Sequence, residues 1–156
     1  MGTRAVLWVS AFEILVHPGK GGHADLEKVL DLLSLVSWED KHLKNQKFRV
    51  TVKEKKRAVT LCEKLYKQLY DTRNSFAHGN PVNIRSIRPF RTPKLPSLHS
   101  IAPLLYRAAL GAYLKLGVPG NSAKTSGLAI NRKRIVYFVS QSNYENGLLS
   151  AMQTRP

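Results

Sequence analysis

The sequence has one cysteine, few acidic residues and no long apolar run, and each scarcity excludes a class of protein. Cys62 alone cannot form an internal disulfide, so the chain is no disulfide-stabilised secreted scaffold and fits a reducing compartment. No segment has the roughly 18 consecutive apolar residues that a membrane-spanning helix needs. The first residues include Arg4 and Glu13 and no small-residue cleavage site, which argues against a signal peptide. We therefore predict a cytoplasmic protein that does not enter a membrane.

Acidic residues are so few that the charge balance itself is informative. The 156 residues contain 25 Lys and Arg against 10 Asp and Glu, giving a formal net charge of +15. Such an excess is typical of proteins that bind nucleic acid or an anionic membrane surface, and unusual for an enzyme of small molecules. The length fits one domain with a buried core, or one domain with an appendage.

Apolar residues recur mainly at helical spacing, which predicts an all-α fold. We expect a bundle of about four core helices over residues 1–118, and a loosely structured tail over 119–156 that is partly disordered or forms a short appended element. The expected helices run from a cap at Thr3 to Val16, from Asp25 to Val36, from about Lys55 to His78, and from a cap at Ser100 to Leu116, with Pro103 in the first turn of the last. A short segment, 48–52, reads as extended.

The third expected helix ends in the hexapeptide Arg73-Asn74-Ser75-Phe76-Ala77-His78, followed by Gly79. Arginine binds phosphate through a planar fork of donors, and histidine transfers protons near neutral pH. At 100° per residue Asn74 and His78 share one face, whereas Arg73 lies about 140° around the helix from His78. Either the last turn is distorted, or a second copy of the helix completes the site in a two-fold dimer. A structural alternative is a histidine that caps the helix and an arginine in an ion pair.

The segment from Leu69 to Gly79 resembles the motif of the HEPN superfamily, and specifically of its Apea-like branch, which reads Arg-Asn-x-x-x-His-Gly. Trp8 and the stretch Ala11-Phe12-Glu13-Ile14-Leu15 resemble the tryptophan and the Ala-Leu-Glu-Ala-Leu stretch of that branch's first helix. The similarity covers roughly residues 4 to 118. The helices expected from periodicity are compatible with a HEPN bundle.

The resemblance implies a homodimeric endoribonuclease that needs no metal or other cofactor, related to toxins or phage defence. If the matching residues have the same roles as in that family, His78 would activate the ribose 2′-hydroxyl or protonate the leaving oxygen. Arg73 would stabilise charge in the transition state, and Asn74 would orient the histidine or the phosphate. RNA supplies its own 2′-hydroxyl nucleophile, so no serine, cysteine or metal is required. Glu13 is a possible supporting residue that would orient Arg73 or His78 if the first helix packs beside the motif.

Two alternatives to a nuclease stay open. The first is a catalytically inactive HEPN domain that binds RNA or a partner protein, and the second is an unrelated basic RNA-binding bundle. The expected partners are RNA, a second copy with both motifs at the interface, and an antitoxin or an associated defence protein.

Two groups of basic residues are candidates for contacts with RNA phosphates. The stretch 41–67 holds ten Lys or Arg against two acids and includes Lys56 and Arg57. After the motif, prolines discourage helix, and basic residues recur every third position, so a polyproline II segment would align them along one edge. These residues are Arg85, Arg88, Arg91 and Lys94.

The remaining histidines and Cys62 suggest no further chemistry. His17, His23, His42 and His99 lack the spacing of metal ligands, and no cysteine pair supports zinc. Cys62 lies on the apolar stripe of the third expected helix, which favours a small core residue over a nucleophile.

Overall fold

The structure, a computed structural model, describes residues 1–19, 22, 24–115, 141, 143–150 and 152, and these are mostly helical. The described residues up to 115 form five helices, one hairpin and a 3-10 turn (Pro89–Arg91). In chain order the elements are α1 (Gly2–Val16), α2 (Leu26–Ser34), α3 (Lys41–Asn45), β1 (Phe48–Val52), β2 (Lys55–Val59), α4 (Leu61–Ala77) and α5 (Leu98–Tyr113). Residues 143–150 are also helical. In the part of the chain described, no helix is both long and apolar enough to cross a bilayer.

Helices α1, α2, α4 and α5 enclose the core with the apolar stripes that the sequence predicts. The ring of Phe12 in α1 lies 4.9 Å from that of Tyr66 in α4 and 5.4 Å from that of Tyr106 in α5. Phe12 and Tyr66 are fully buried. Aromatic pairs at these separations add to the free energy gained from burying their area. The predicted bundle of four helices is therefore present, although other elements accompany it.

The largest difference from the predicted elements lies before α4. Residues Lys55–Val59 do not begin a helix but form β2, which pairs antiparallel with β1 so that Phe48 faces Val59. Helix α4 begins instead at Leu61. The backbone N–H of Glu63 donates to the Thr60 hydroxyl, and the backbone N–H of Thr60 donates to the Glu63 carboxylate. This capping box fixes the helix start. The extended segment predicted at 48–52 is confirmed as β1.

The other helix ends differ from the predicted ones by smaller steps. Helix α2 begins next to Asp25, as predicted, and the Asp25 side chain caps it by accepting from the backbone N–H of Lys28, but α2 stops at Ser34. Helix α1 begins at Gly2 and not after a cap at Thr3. Helix α5 begins at Leu98, capped by Ser97, so Pro103 lies in its second turn and not in its first.

The C-terminal helical segment, residues 143–150, packs on the core. The ring of Tyr144 stacks on Trp38 at 6.0 Å, and Leu148 is fully buried. The Glu145 carboxylate accepts hydrogen bonds from the backbone N–H groups of Glu39 (3.0 Å) and Asp40 (2.7 Å). Most of the predicted tail, residues 119–140, lies outside the described residues.

Candidate functional site

Arg73 is held in place by α1. Its Nη2 donates to Oε1 of Glu13 over 2.6 Å, and its guanidinium lies 4.7 Å from the centre of the Tyr70 ring. The side chains of Arg73 and Glu13 are 26% and 24% exposed, so the pair is largely shielded from solvent. The contact that the sequence proposed between Glu13 and the motif is therefore present, and it is made to Arg73. Tyr70 was not predicted, although its position three residues before Arg73 places it one turn away.

His78 lies at the exposed end of α4, in a regular helix terminus. Its backbone N–H donates to the Asn74 carbonyl over 3.0 Å, as in an undistorted helix. Gly79 follows with φ +73°, its N–H donates to the Phe76 carbonyl, and the N–H of Asn80 donates to the Ser75 carbonyl. These two bonds form a Schellman motif, in which glycine favours the left-handed position. The helix therefore ends where Gly79 predicts.

One copy of the chain does not bring Arg73 and His78 together. The last turn keeps its helical hydrogen bond, so the structure does not show the distorted helix end that was one of the two alternatives. Arg73 points toward α1, whereas the half-buried Asn74 and the exposed His78 share another face of α4. The two faces are about 140° apart on the helix.

The hydroxyl of Tyr66 is buried near the Arg73–Glu13 pair and has no hydrogen-bond partner among the described residues. Burial raises the pKa of Tyr66 most, the negative charge of Glu13 raises it further, and the positive charge of Arg73 opposes the shift. The phenol therefore stays neutral over the whole physiological range.

The basic loop after the motif differs from the predicted polyproline II segment. Residues 84–88 form turns, and Phe90 and Arg91 in the 3-10 turn adopt left-handed φ angles of 52° and 57°. Arg85, Arg91 and Lys94 are exposed, but Arg88 is half-buried and donates to the Leu95 carbonyl. The expectation of one aligned basic edge is wrong, because turns and these left-handed residues break the three-residue repeat.

Arg57 and Lys56, the candidates from the basic stretch, have different surroundings. Arg57 forms ion pairs with Asp31 of α2 (3.0 Å) and with the buried Glu63 of α4 (3.1 Å), so it fastens the hairpin to the bundle. Lys56 is exposed on β2 and lines a groove. The sequence alone does not show that these two neighbours have different surroundings, because Asp31, a partner of Arg57, is distant along the chain.

That groove gathers cations from three separate elements. It consists of two adjoining depressions of about 360 and 390 Å³ that share Lys64, Lys67 and Asp71 of α4. We call it the basic groove, and its charged lining residues are Arg49, Lys56, Lys64, Lys67, Asp71 and Arg91. The sequence alone does not indicate the groove, because only the fold of the hairpin and the loop brings these cations together.

Cys62 has the role that the sequence predicts. It is fully buried, and burial together with the neighbouring Glu63 raises the pKa of its thiol, so the nucleophilic thiolate is disfavoured. In the described part of the chain, no three His, Cys, Asp or Glu side chains form a group that could hold a metal ion.

No model of a known protein family matches this sequence, and no curated protein or solved structure matches it significantly. What points to a function is therefore the geometry around α4, together with the resemblance of two segments, in α1 and at the end of α4, to the HEPN branch.

Proposed function

We propose that this protein is a HEPN-type endoribonuclease of the Apea-like branch, which cuts RNA by attack of a ribose 2′-hydroxyl on the adjacent phosphate. His78 acts as the general acid or base, Arg73 stabilises the negative charge of the transition state, and Asn74 orients the histidine or the phosphate. Glu13 holds Arg73 in position. We place the activity in the cytoplasm, in a toxin or a phage-defence system in which an antitoxin or an associated defence protein is a further partner.

The pairing of Glu13 with Arg73 is the observation that carries this proposal. The two segments that resemble the HEPN branch are far apart in sequence, and this ion pair of 2.6 Å joins one to the other. A guanidinium held by a carboxylate on one side and an aromatic ring on another is pre-oriented, so little conformational entropy is lost when it binds phosphate.

His78 has the exposure that proton transfer to a polymer requires. It lies at the end of α4 on the same face as Asn74, and Gly79 turns the chain away immediately after it. An RNA strand can approach this position from solvent. General acid–base catalysis by a well-placed histidine is worth roughly 10² to 10⁴ in rate.

The angle between Arg73 and His78 favours a homodimeric site. A second copy related by a two-fold axis would present its own arginine and histidine at the same seam. On α1, Leu7 and Ile14 are 66% and 72% exposed and lie one above the other on a face next to Glu13. Exposed apolar side chains in such a row are what an association surface offers.

Purified protein incubated with single-stranded RNA in EDTA tests the proposal. We expect cleavage that survives the chelator, leaves 2′,3′-cyclic phosphate ends, and is lost in both Arg73→Ala and His78→Ala. Thermal unfolding of each variant must show that it is folded. Cleavage that persists in the folded His78→Ala variant would contradict the proposal.

The catalytically inactive HEPN domain stays as a second candidate, since the charge of Arg73 is already compensated by Glu13. An arginine in a shielded ion pair is also what a purely structural role requires. Binding of RNA or of a partner protein without any cleavage favours this candidate. A strictly monomeric protein at micromolar concentration would favour an unrelated basic RNA-binding bundle over both HEPN readings.

A further inference from the structure

We infer that the basic groove binds the phosphates of a single RNA strand and leads that strand along α4 to His78, with one base stacked on Phe90. The inference rests on the proposed ribonuclease function for its end point at His78. The groove is nonetheless a separate binding surface, on the side of α4 away from Arg73, and it can be tested by binding alone.

The charges of the groove are suited to a polyanion. It is lined by five cations, and Asp71, the acid among its described lining residues, is already paired with Lys67. Lys64 donates to the backbone carbonyl of Arg49 over 3.4 Å, so its amine is held above the hairpin. Phosphate contacts from such cations require no particular base sequence.

The helical phase of α4 connects the groove to the candidate site. Lys64, Lys67 and Asp71 follow one another at intervals of three and four residues, and the same spacing continues to Asn74 or Ser75 and then to His78. At 1.5 Å per residue, the distance along the axis from Lys67 to His78 is about 16 Å. One face of one helix therefore runs from the floor of the groove to the candidate general acid or base.

The ring of Phe90 makes the groove more than a basic patch. Phe90 lines the groove and stacks on Phe48 of β1 with ring centres 5.2 Å apart and planes inclined by 17°. Its left-handed backbone, φ 52°, is unusual for a bulky residue, and such strain is concentrated at functional positions. An aromatic ring beside a row of cations is the arrangement by which proteins bind single strands, since bases stack on the ring while phosphates contact the cations.

Gln68 of α4 holds this loop against the groove. Its side-chain carbonyl accepts from the Phe90 N–H over 3.0 Å, and its amide donates to the carbonyls of Ser86 (3.1 Å) and Arg88 (2.6 Å). Because Gln68 is itself a lining residue of the groove, the strained backbone at Phe90 is held in place by the groove's own floor. The positions of Phe90 and Arg91 are set by α4, which also carries the groove's lysines.

Binding of a fluorescent single-stranded 2′-O-methyl RNA, measured by anisotropy over a range of salt concentrations, tests the inference. This RNA lacks the 2′-hydroxyl nucleophile, so binding is measured without cleavage. We expect Lys56→Gln/Lys64→Gln to weaken binding at least about tenfold at low salt. The slope of log affinity against log salt should fall by about 1.4, or about 0.7 for each phosphate that the variant no longer neutralises.

The matched control is Lys41→Gln/Lys44→Gln, which removes the same charge from two other cations of the stretch 41–67 that lie exposed on α3, outside the lining of the groove. It should keep the wild-type slope. Equal losses in both double variants would mean that binding follows net charge alone, and would overturn the inference, as would unchanged binding in the groove variant.

Phe90→Leu tests the stacked base separately, because leucine keeps an apolar contact with Phe48 but offers no aromatic face. We expect affinity to fall at least about fivefold with no change of salt slope. Unchanged affinity would remove the stacking from the inference, and equal or tighter binding of double-stranded RNA would overturn the single-strand assignment.

The outcomes also separate this inference from the proposed nuclease. Binding through the groove in a protein that never cleaves RNA would leave the groove intact and refute the nuclease. If a groove variant instead binds RNA with wild-type affinity and cleaves it at the wild-type rate, the nuclease is supported and the inference about the groove is refuted.

Discussion

The carboxylate of Glu13 accepts a hydrogen bond of 2.6 Å from Nη2 of Arg73, and this pair joins α1 to α4 across 60 positions of sequence. Both side chains are about three-quarters shielded, and the ring of Tyr70 lies 4.7 Å from the guanidinium carbon. The interaction is therefore less exposed to water and salt than a surface ion pair. Glu13 therefore holds the guanidinium of Arg73 in a fixed position.

We expect a measurable coupling between the two residues. In a double-mutant cycle of Glu13→Gln and Arg73→Ala, the coupling in the free energy of unfolding should be about 1 kcal/mol. The control is Glu27→Gln, which breaks the exposed pair of Lys53 (73% exposed) with Glu27 (43%) and should destabilise the protein less than loss of the shielded Glu13–Arg73 pair. Urea unfolding measures both, and a Glu13–Arg73 coupling no larger than experimental error would contradict the prediction.

Local signals in the sequence predict much of this fold. Asp25 caps α2 and Gly79 closes α4 because both act through their own neighbours. The predicted start of α4 near Lys55 is wrong, although the capping pair Thr60 and Glu63 is present in the sequence. The apolar spacing that includes Ala58 suits a helix, and pairing of β2 with β1 outweighs it.

At the candidate site, local sequence signals predict only part of the arrangement, because the rest depends on tertiary contacts. Helical geometry alone separates Arg73 from His78, and the structure keeps them apart. Which basic residues are free depends on tertiary contacts, since Arg57 pairs with the distant Asp31 while its neighbour Lys56 lines the groove. A repeat of every third residue predicted an extended edge, but the burial of Arg88 and the turns around it are set by packing against α4.

Replacing Gly79 tests the end of α4. A side chain at φ +73° is strained even though nothing lies within 4 Å of the added carbon, so Gly79→Ala should lower the free energy of unfolding by about 1 kcal/mol. Gly147→Ala is the control, because Gly147 lies in the helical segment 143–150 with equally open surroundings and no positive φ. There alanine should be neutral or stabilising by up to about 1 kcal/mol. Equal effects at both positions would contradict the backbone argument.

Replacing Gln68 tests the fastening of the loop. Gln68→Met keeps the length of the side chain but removes three hydrogen bonds, and should lower the free energy of unfolding by about 2 kcal/mol. Gln68→Glu keeps an acceptor for the Phe90 N–H but directs a negative charge at the carbonyls of Ser86 and Arg88. This variant should therefore be no more stable than Gln68→Met. Urea unfolding measures the stability, and hydrogen exchange of the Phe90 amide measures the loop. Wild-type exchange in both variants would contradict the fastening.

His99 should make the protein less stable in acid. Burial most of all, and the charge of Arg4 next, lower the pKa of His99 below its ordinary 6.5. The unfolded chain then binds a proton more readily than the folded one. Stability is therefore present above the unfolded pKa and is lost as the pH falls through the folded pKa. Between about pH 7 and pH 5, wild type should lose more stability than His99→Gln in chemical unfolding. Equal losses would exclude His99 as the cause.

Mixed dimers offer the sharpest test of a site shared between two copies. If Arg73 of one subunit serves His78 of the other, then a dimer of one Arg73→Ala and one His78→Ala subunit has one intact site and one site lacking both residues. Random pairing of equal amounts makes about half of the dimers mixed, so co-refolded variants should recover about a quarter of wild-type cleavage although each variant alone is inactive. If each site used Arg73 and His78 of the same subunit, no mixed dimer would contain an intact site. Recovery to about a quarter thus identifies a composite site, and no recovery in dimers shown to be mixed by mass spectrometry contradicts it.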